Sequence, residues 1–178
     1  MELETDIARR AQRIKLLLMD CDGTLTDGRI WLTADGDEQK AFHARDGQGI
    51  SVWHRAGFKS GIISGRASGG MKRRAHELKV TYVHQYAKNK IVALEEIIAD
   101  AHVSVDECCF IGDDLGDIGV MRRVGLAVAV ADAAQDTKDA AHYITKLEGG
   151  AGGVREVIEL ILKAQNRWDE LIRQVTSH

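Results

Sequence analysis

Two aspartates separated by one residue, Asp20 and Asp22, follow the apolar run Leu16-Leu17-Leu18-Met19 and lead into Gly23 and Thr24. Driving charge against a buried strand is costly unless something compensates it. Further on, Ser64-Gly65-Arg66 ends one apolar run, Lys90 stands at the start of a helical pattern, and Asp113, Asp114 and Asp117 close another apolar run. Carboxylates, a hydroxyl and an ammonium at successive strand ends suit phosphoryl transfer. One carboxylate can attack phosphorus, and a second can protonate the leaving oxygen and later activate water. A hard cation such as Mg²⁺ takes oxygen ligands and offsets repulsion between the anionic nucleophile and an anionic ester. On this chemistry Asp20 and Asp113, with the backbone carbonyl of Asp22, supply metal ligands, while Ser64 and Lys90 bind the transferring oxygens. Singly, each feature has an ordinary explanation. Asp-x-Asp is a common turn, Ser64 and Asp114 are plausible helix caps, and Lys88 rivals Lys90. Their occurrence together is the signal.

The elements that position these residues are short apolar strands over 14–20, 59–64, 80–84, 107–113 and 126–130. Their unbroken apolarity fits strands buried on both faces. Helical patterns lie between them over roughly 47–57, 67–78, 88–102 and 114–123, and a last long helix runs from Gly153 to Gln174. Ile91, Leu94, Ile97 and Ile98 form one stripe of the 88–102 helix. Alternating strand and helix predicts an α/β fold with a doubly wound, Rossmann-like parallel sheet. One segment breaks the rhythm. Residues 28–44 read as a small β-hairpin around Asp35-Gly36. The chain is expected to be a single domain over 1–178, with its core over about 14–165 and a helical tail from about 153.

The chain has 178 residues, 44% of them hydrophobic and 29% charged, which is a globular balance. A net charge of −3 and a pI near 6.2 imply no nucleic-acid face. Cys21, Cys108 and Cys109 form no disulfide framework. The opening residues lack the apolar stretch of a signal peptide, and no run is long enough to span a membrane. These features lead us to expect a cytoplasmic protein.

The segments "DCDGTLTDG", "SGR", the isolated Lys90 and "GDDLGD" resemble, in order, the four motifs of the haloacid dehalogenase superfamily of phosphohydrolases. The resemblance runs from about Ile14 to Gln165. It implies Asp20 as nucleophile, Asp22 as general acid/base, Asp20, Asp22 and Asp113 as Mg²⁺ ligands, and Asp117 as a supporting acidic residue. The intervals from Asp20 to Ser64 and from Ser64 to Lys90 leave no room for a cap domain. More narrowly, "DGRIWLTADGDEQKAFHARDGQGI", "VGLAVAVADA" and "GGAGGVREVIELIL" are similar to the capless 3-deoxy-D-manno-octulosonate 8-phosphate (KDO 8-phosphate) phosphatases of lipopolysaccharide precursor synthesis. That family is homotetrameric, with hairpins assembled around an axis and neighbouring subunits closing each site. The similarity implies a phosphorylated sugar acid as substrate. It also implies substrate contacts from Asp22, from His43, Ala44, Arg45, Asp46 and Gly47, and from Ser51, Arg66, Arg74 and Lys90. Arginine forks suit a substrate that bears both carboxylate and phosphate. Ser51 departs from the pattern, standing where members of that family carry a basic residue.

Other readings are a phosphatase of nonulosonate 9-phosphates, a receiver domain and a non-catalytic scaffold of the same fold. A receiver places its phospho-accepting aspartate on a later strand than its acidic pair, the reverse of the order here. A degenerate scaffold usually loses one such residue, and retention of Asp20, Asp22, Ser64, Lys90 and Asp113 together argues against it.

Overall fold

The computed structural model describes residues 2–36 and 38–176. Strand β1 (Leu16–Met19) is buried along its whole length, as are β6 (Cys108–Gly112) and β7 (Leu126–Ala129). Apolar side chains on both faces of a strand need helices on both sides of the sheet, and the connections supply them. In chain order, helix α1 (Glu2–Arg13) precedes β1, and β2 (Trp31–Leu32) and β3 (Glu38–Gln39) form a separate ribbon. Then follow α2 (Ala44–Arg55), β4 (Lys59–Ile63), α3 (Gly69–Glu77), β5 (Tyr82–His84) and α4 (Lys90–Ala101). After β6 come α5 (Ile118–Met121), β7, α6 (Gln135–Asp139), β8 (Tyr143–Ile144), α7 (Gly153–Ala164) and α8 (Trp168–Thr176).

The main sheet has the order β5-β4-β1-β6-β7-β8, with every pair parallel. From β1 the chain moves outward through β4 and β5, then returns to β6 on the other side of β1. Strand order therefore reverses around β1 and β6, and in such sheets ligands bind at the carboxyl ends of the strands at this point. Helix α7 packs against both α1 and α2, and α4 packs on α5. Trp53 and Phe110 are the bulkiest side chains sealed within the core. Burying a side chain of this kind stabilises by about 1.5–3 kcal/mol.

The doubly wound sheet and the hairpin match expectation. The ribbon pairs Trp31 with Gln39 and Leu32 with Glu38, and Gly36 turns it at φ +83°. Three features differ. Helix α1 was not anticipated, because its apolar stripe is thin: Ile7 and Ala11 carry its buried contact. The edge strand β8 and helix α6 are too short for periodicity to reveal. The last helix is broken: Asn166 turns left-handed at φ +55°, and Arg167 N–H donates to Leu162 O at 2.9 Å. Arg167 anchors the break by donating to Ala56 O at 2.6 Å with its guanidinium over the Phe58 ring.

Candidate active site

The loop leaving β1 is wound around Cys21, whose carbonyl accepts from the N–H groups of Leu25 at 2.9 Å and Thr26 at 3.1 Å. Asp20 itself stays in register with β6, donating its N–H to Ile111 O at 3.0 Å. Gly23 sits at φ +93°, and a Cβ there would lie 2.0 Å from Asp113 Oδ2. Only glycine lets the two loops come this close. Thr24 Oγ1 donates to Asp113 Oδ1 at 3.2 Å, fixing the second loop to the first.

Carboxylate oxygens of Asp20, Asp113 and Asp117 all lie within 4.8 Å of one another. Lys90, the first residue of α4, reaches into the cluster, with Nζ 2.8 Å from Asp20 Oδ1 and 2.7 Å from Asp117 Oδ1. The remaining oxygen of Asp117 accepts from the backbone N–H groups of Asp113 at 3.0 Å and Asp114 at 3.3 Å. Asp117 is thus saturated by Lys90 and its own loop, which leaves Asp20 and Asp113 better placed to take a cation. Burial, with the charge of Asp117 added, pushes the Asp20 carboxyl up to about 6, against the pull of Lys90. Burial, with Asp20 and Asp117 nearby, pushes Asp113 up to about 8. For Lys90, burial alone would lower the pKa, but Asp20 and Asp117 outweigh it and the ammonium is held more firmly. The cluster has more carboxylates than cations to match them, and a divalent metal ion fits that deficit.

Ser64 follows β4 and is buried; its Oγ accepts from Arg66 N–H at 3.2 Å, and its backbone ties β4 to His84. Lys88, the rival to Lys90, is exposed. Asp114 has the capping role that its sequence allowed, accepting from Leu115 N–H at 2.8 Å.

The predicted substrate residues do not form one surface. Residues 43–47 begin a helix, so consecutive side chains leave it in different directions. His43 caps that helix, its Nδ1 accepting from Arg45 N–H at 3.3 Å. Ala44, Gly47 and Ser51 share one face and line a groove of about 610 Å³ with Arg74. The Arg74 guanidinium lies against Gly47. Arg45 lines a different cavity, beside Arg155 and Tyr143. Asp46 faces neither cavity. It is buried, and its carboxylate accepts from Gly152 N–H at 3.2 Å and Arg155 N–H at 2.8 Å, capping α7.

Two residues beside the aspartate pair went unforeseen. The Lys40 ammonium is in contact with Asp22 Oδ1 and lies 3.2 Å from Glu38 Oε2, and Glu38 Oε1 in turn holds Arg66. Spacing of two in an extended segment puts Glu38 and Lys40 on the same side, and that pattern in the hairpin could have revealed them.

A family profile described as haloacid dehalogenase-like hydrolase matches residues 83–158. The KDO 8-phosphate phosphatase of Yersinia pestis is 43% identical over 162 residues, covering 91% of this chain and 87% of that protein. Its counterpart in Escherichia coli K12 is 39% identical, covering 94% of this chain and 89% of the relative. Among solved structures, KDO 8-phosphate phosphatase from Moraxella catarrhalis, in complex with a magnesium ion, a phosphate ion and a KDO molecule, superposes with a TM-score of 0.93. It shares 39% identity, covering 97% of this chain and 99% of that one.

Proposed function

The chain belongs to the KDO 8-phosphate phosphatase family of haloacid dehalogenase-like hydrolases, and on that premise we propose that it hydrolyses KDO 8-phosphate to KDO and phosphate through an aspartyl-phosphate. The observation that carries this reading is the convergence of Asp20, Asp113 and Asp117 within 4.8 Å around Lys90, at the point where strand order reverses.

Asp20 attacks phosphorus with a carboxylate oxygen while the bond from phosphorus to the sugar oxygen breaks. Asp22 gives its proton to that departing oxygen. Water then attacks the phosphorus of the aspartyl-phosphate, returning a proton to Asp22 as the bond to Asp20 breaks. The Ser64 hydroxyl and the Lys90 ammonium bind the oxygens of the transferring group. Asp20, Asp113 and the backbone carbonyl of Asp22 would hold Mg²⁺, with Asp117 keeping Lys90 and the Asp113 loop in place. When bound, that ion lowers the repulsion between the carboxylate nucleophile and an anionic phosphate.

The sugar acid carries a second anionic group. Arg66 and Arg74 are the arginines proposed to meet it, and the buried Nε of Arg74 has no hydrogen-bond partner among the described residues. With no cap above the cluster, we take the active form to be a homotetramer in which neighbouring subunits close each site. The buried, unpaired thiols of Cys21, Cys108 and Cys109 agree with work in a reducing compartment.

Ser51 favours one second reading. It lines the groove beside Arg74 in place of the family's basic residue, so one anion contact is missing, and a nonulosonate 9-phosphate could be the better substrate. Phosphate release with Mg²⁺ from KDO 8-phosphate, 2-keto-3-deoxynononate 9-phosphate and N-acylneuraminate 9-phosphate separates the two. The highest kcat/KM is expected on KDO 8-phosphate, and Asp20→Asn is expected to reduce it by more than about 10³-fold with the fold intact. Near-normal turnover by that variant would exclude Asp20 as nucleophile.

A further inference from the structure

Resting on Asp22 as the acid/base of a phosphatase, we propose that Lys40 is a positioning residue for that carboxyl group, held in place by Glu38 and Arg66. Lys40 lies just beyond β3, in the hairpin, yet its side chain is only 1% exposed. A buried ammonium is stable only when paired. Here it has two carboxylates, Asp22 Oδ1 in direct contact and Glu38 Oε2 at 3.2 Å. Glu38 is itself fixed by Arg66, which follows the strand that delivers Ser64. A continuous path of charges therefore runs from the loop after β1, through the hairpin, to the loop after β4.

The geometry makes the two oxygens of Asp22 inequivalent. Oδ1 is committed to Lys40, so Oδ2 is left to exchange the proton with the leaving sugar oxygen. Without Lys40 the Asp22 side chain, on a short loop with solvent beside it, would lose this fixed orientation. The effect belongs to the step in which the bond from phosphorus to the sugar oxygen breaks and the Asp22 proton moves to that oxygen. An alkoxide needs the proton, whereas a nitrophenolate leaves without it.

Leaving-group dependence therefore tests the role. In single-turnover experiments with Mg²⁺, the release of KDO from KDO 8-phosphate is compared with the nitrophenolate burst from 4-nitrophenyl phosphate. Lys40→Met is expected to slow KDO release about 100-fold and the nitrophenolate burst less than about threefold, the selectivity of a lost general-acid contribution. Glu38→Gln keeps the shape of the hairpin and should show the same selectivity at about a tenfold loss. Equal slowing of both substrates by both variants, or no slowing of either, would overturn the proposal. Asp22→Asn separates this outcome from a failure of the underlying reading. It must show the selective loss more strongly than Lys40→Met; if it slows both substrates alike, Asp22 is not the acid and the role of Lys40 falls with it.

Discussion

Asp20 and Asp113 hold their protons more tightly in the folded chain than carboxyls do in water, at about 6 and about 8 against an ordinary 3.8. Burial is the main cause in both, and crowding by Asp117 adds to it. Between the ordinary and the shifted values the native state binds more protons than the unfolded chain, so stability falls as pH rises. The contribution of Asp20 is lost as pH climbs through about 6, and that of Asp113 as it climbs through about 8. Metal-stripped protein should therefore melt at a lower temperature at pH 8 than at pH 6, as read by calorimetry. Mg²⁺ takes the place of those protons and should restore the loss at pH 8, by about 2.7 kcal/mol at a hundred times its Kd. Asp113→Asn has no proton to release there, so it should flatten the pH slope and blunt the response to magnesium. A slope unchanged in that variant would move the effect to other groups. The inequality of the acidic residues is also a residue-scale matter. Asp117 spends both oxygens on Lys90 and on backbone N–H groups, and Asp22 spends one on Lys40. Of the three clustered carboxylates, Asp20 and Asp113 each keep an oxygen for a cation.

At the scale of elements, the start of α2 shows what a linear motif hides. Read as a string, residues 43–47 are neighbours; wound into a helix, they serve four different purposes, the first being the cap that His43 gives α2 itself. Ala44 and Gly47 face the Arg74 groove, Arg45 faces the Arg155 cavity, and Asp46 caps α7 through two backbone N–H groups. Asp46→Ala is expected to destabilise the fold by about 2 kcal/mol, since it strands buried donors at the start of α7. Urea unfolding measures that loss, and KM for the sugar phosphate should stay within about twofold because no substrate contact is removed. A raised KM at unchanged stability would return Asp46 to the substrate site. The contrast with β1, β6 and β7 explains what could be read from sequence. Unbroken apolar runs ending in Asp20 and Asp113 mark strands buried on both faces, and those residues take their positions from the backbone alone. The two-residue β8, the thin stripe of α1 and the break at Asn166 depend on tertiary contacts that local pattern does not carry. The link between Lys40 and Asp22 was hidden for the same reason, because the hairpin meets the loop after β1 only once the chain has folded.

For the whole molecule, an outstanding feature is large apolar side chains exposed on the hairpin and beyond the carboxyl ends of the strands. Trp31 and Leu32 are 62% and 72% exposed, and Ile30, Tyr86 and Leu115 are exposed as well. Tyr86 lies between β5 and α4, and Leu115 follows Asp114, so both stand at carboxyl ends of the sheet's strands, Leu115 in the segment that carries Asp113 and Asp117. Adjacent large apolar side chains left this exposed on the hairpin, Ile30, Trp31 and Leu32, are a mark of surface meant to be covered. A second copy of the chain is the covering our reading requires, because the acidic cluster and the Arg74 groove have no cap between or above them. Light scattering should then give a mass about four times the 19.6 kDa of one chain. Joint replacement of Trp31 and Leu32 by Asp places charge in the interface, where aromatic anchors typically carry more than about 2 kcal/mol each, and should yield monomers. Because Asp20, Asp22, Ser64, Lys90 and Asp113 all belong to one chain, those monomers should keep most of their turnover of 4-nitrophenyl phosphate. Their KM for KDO 8-phosphate should rise at least about tenfold if neighbouring subunits supply walls around the sugar acid, as proposed. A monomeric variant with unchanged KM would show that one chain closes its own site, and Arg66 and Arg74 would then have to reach the substrate from within it.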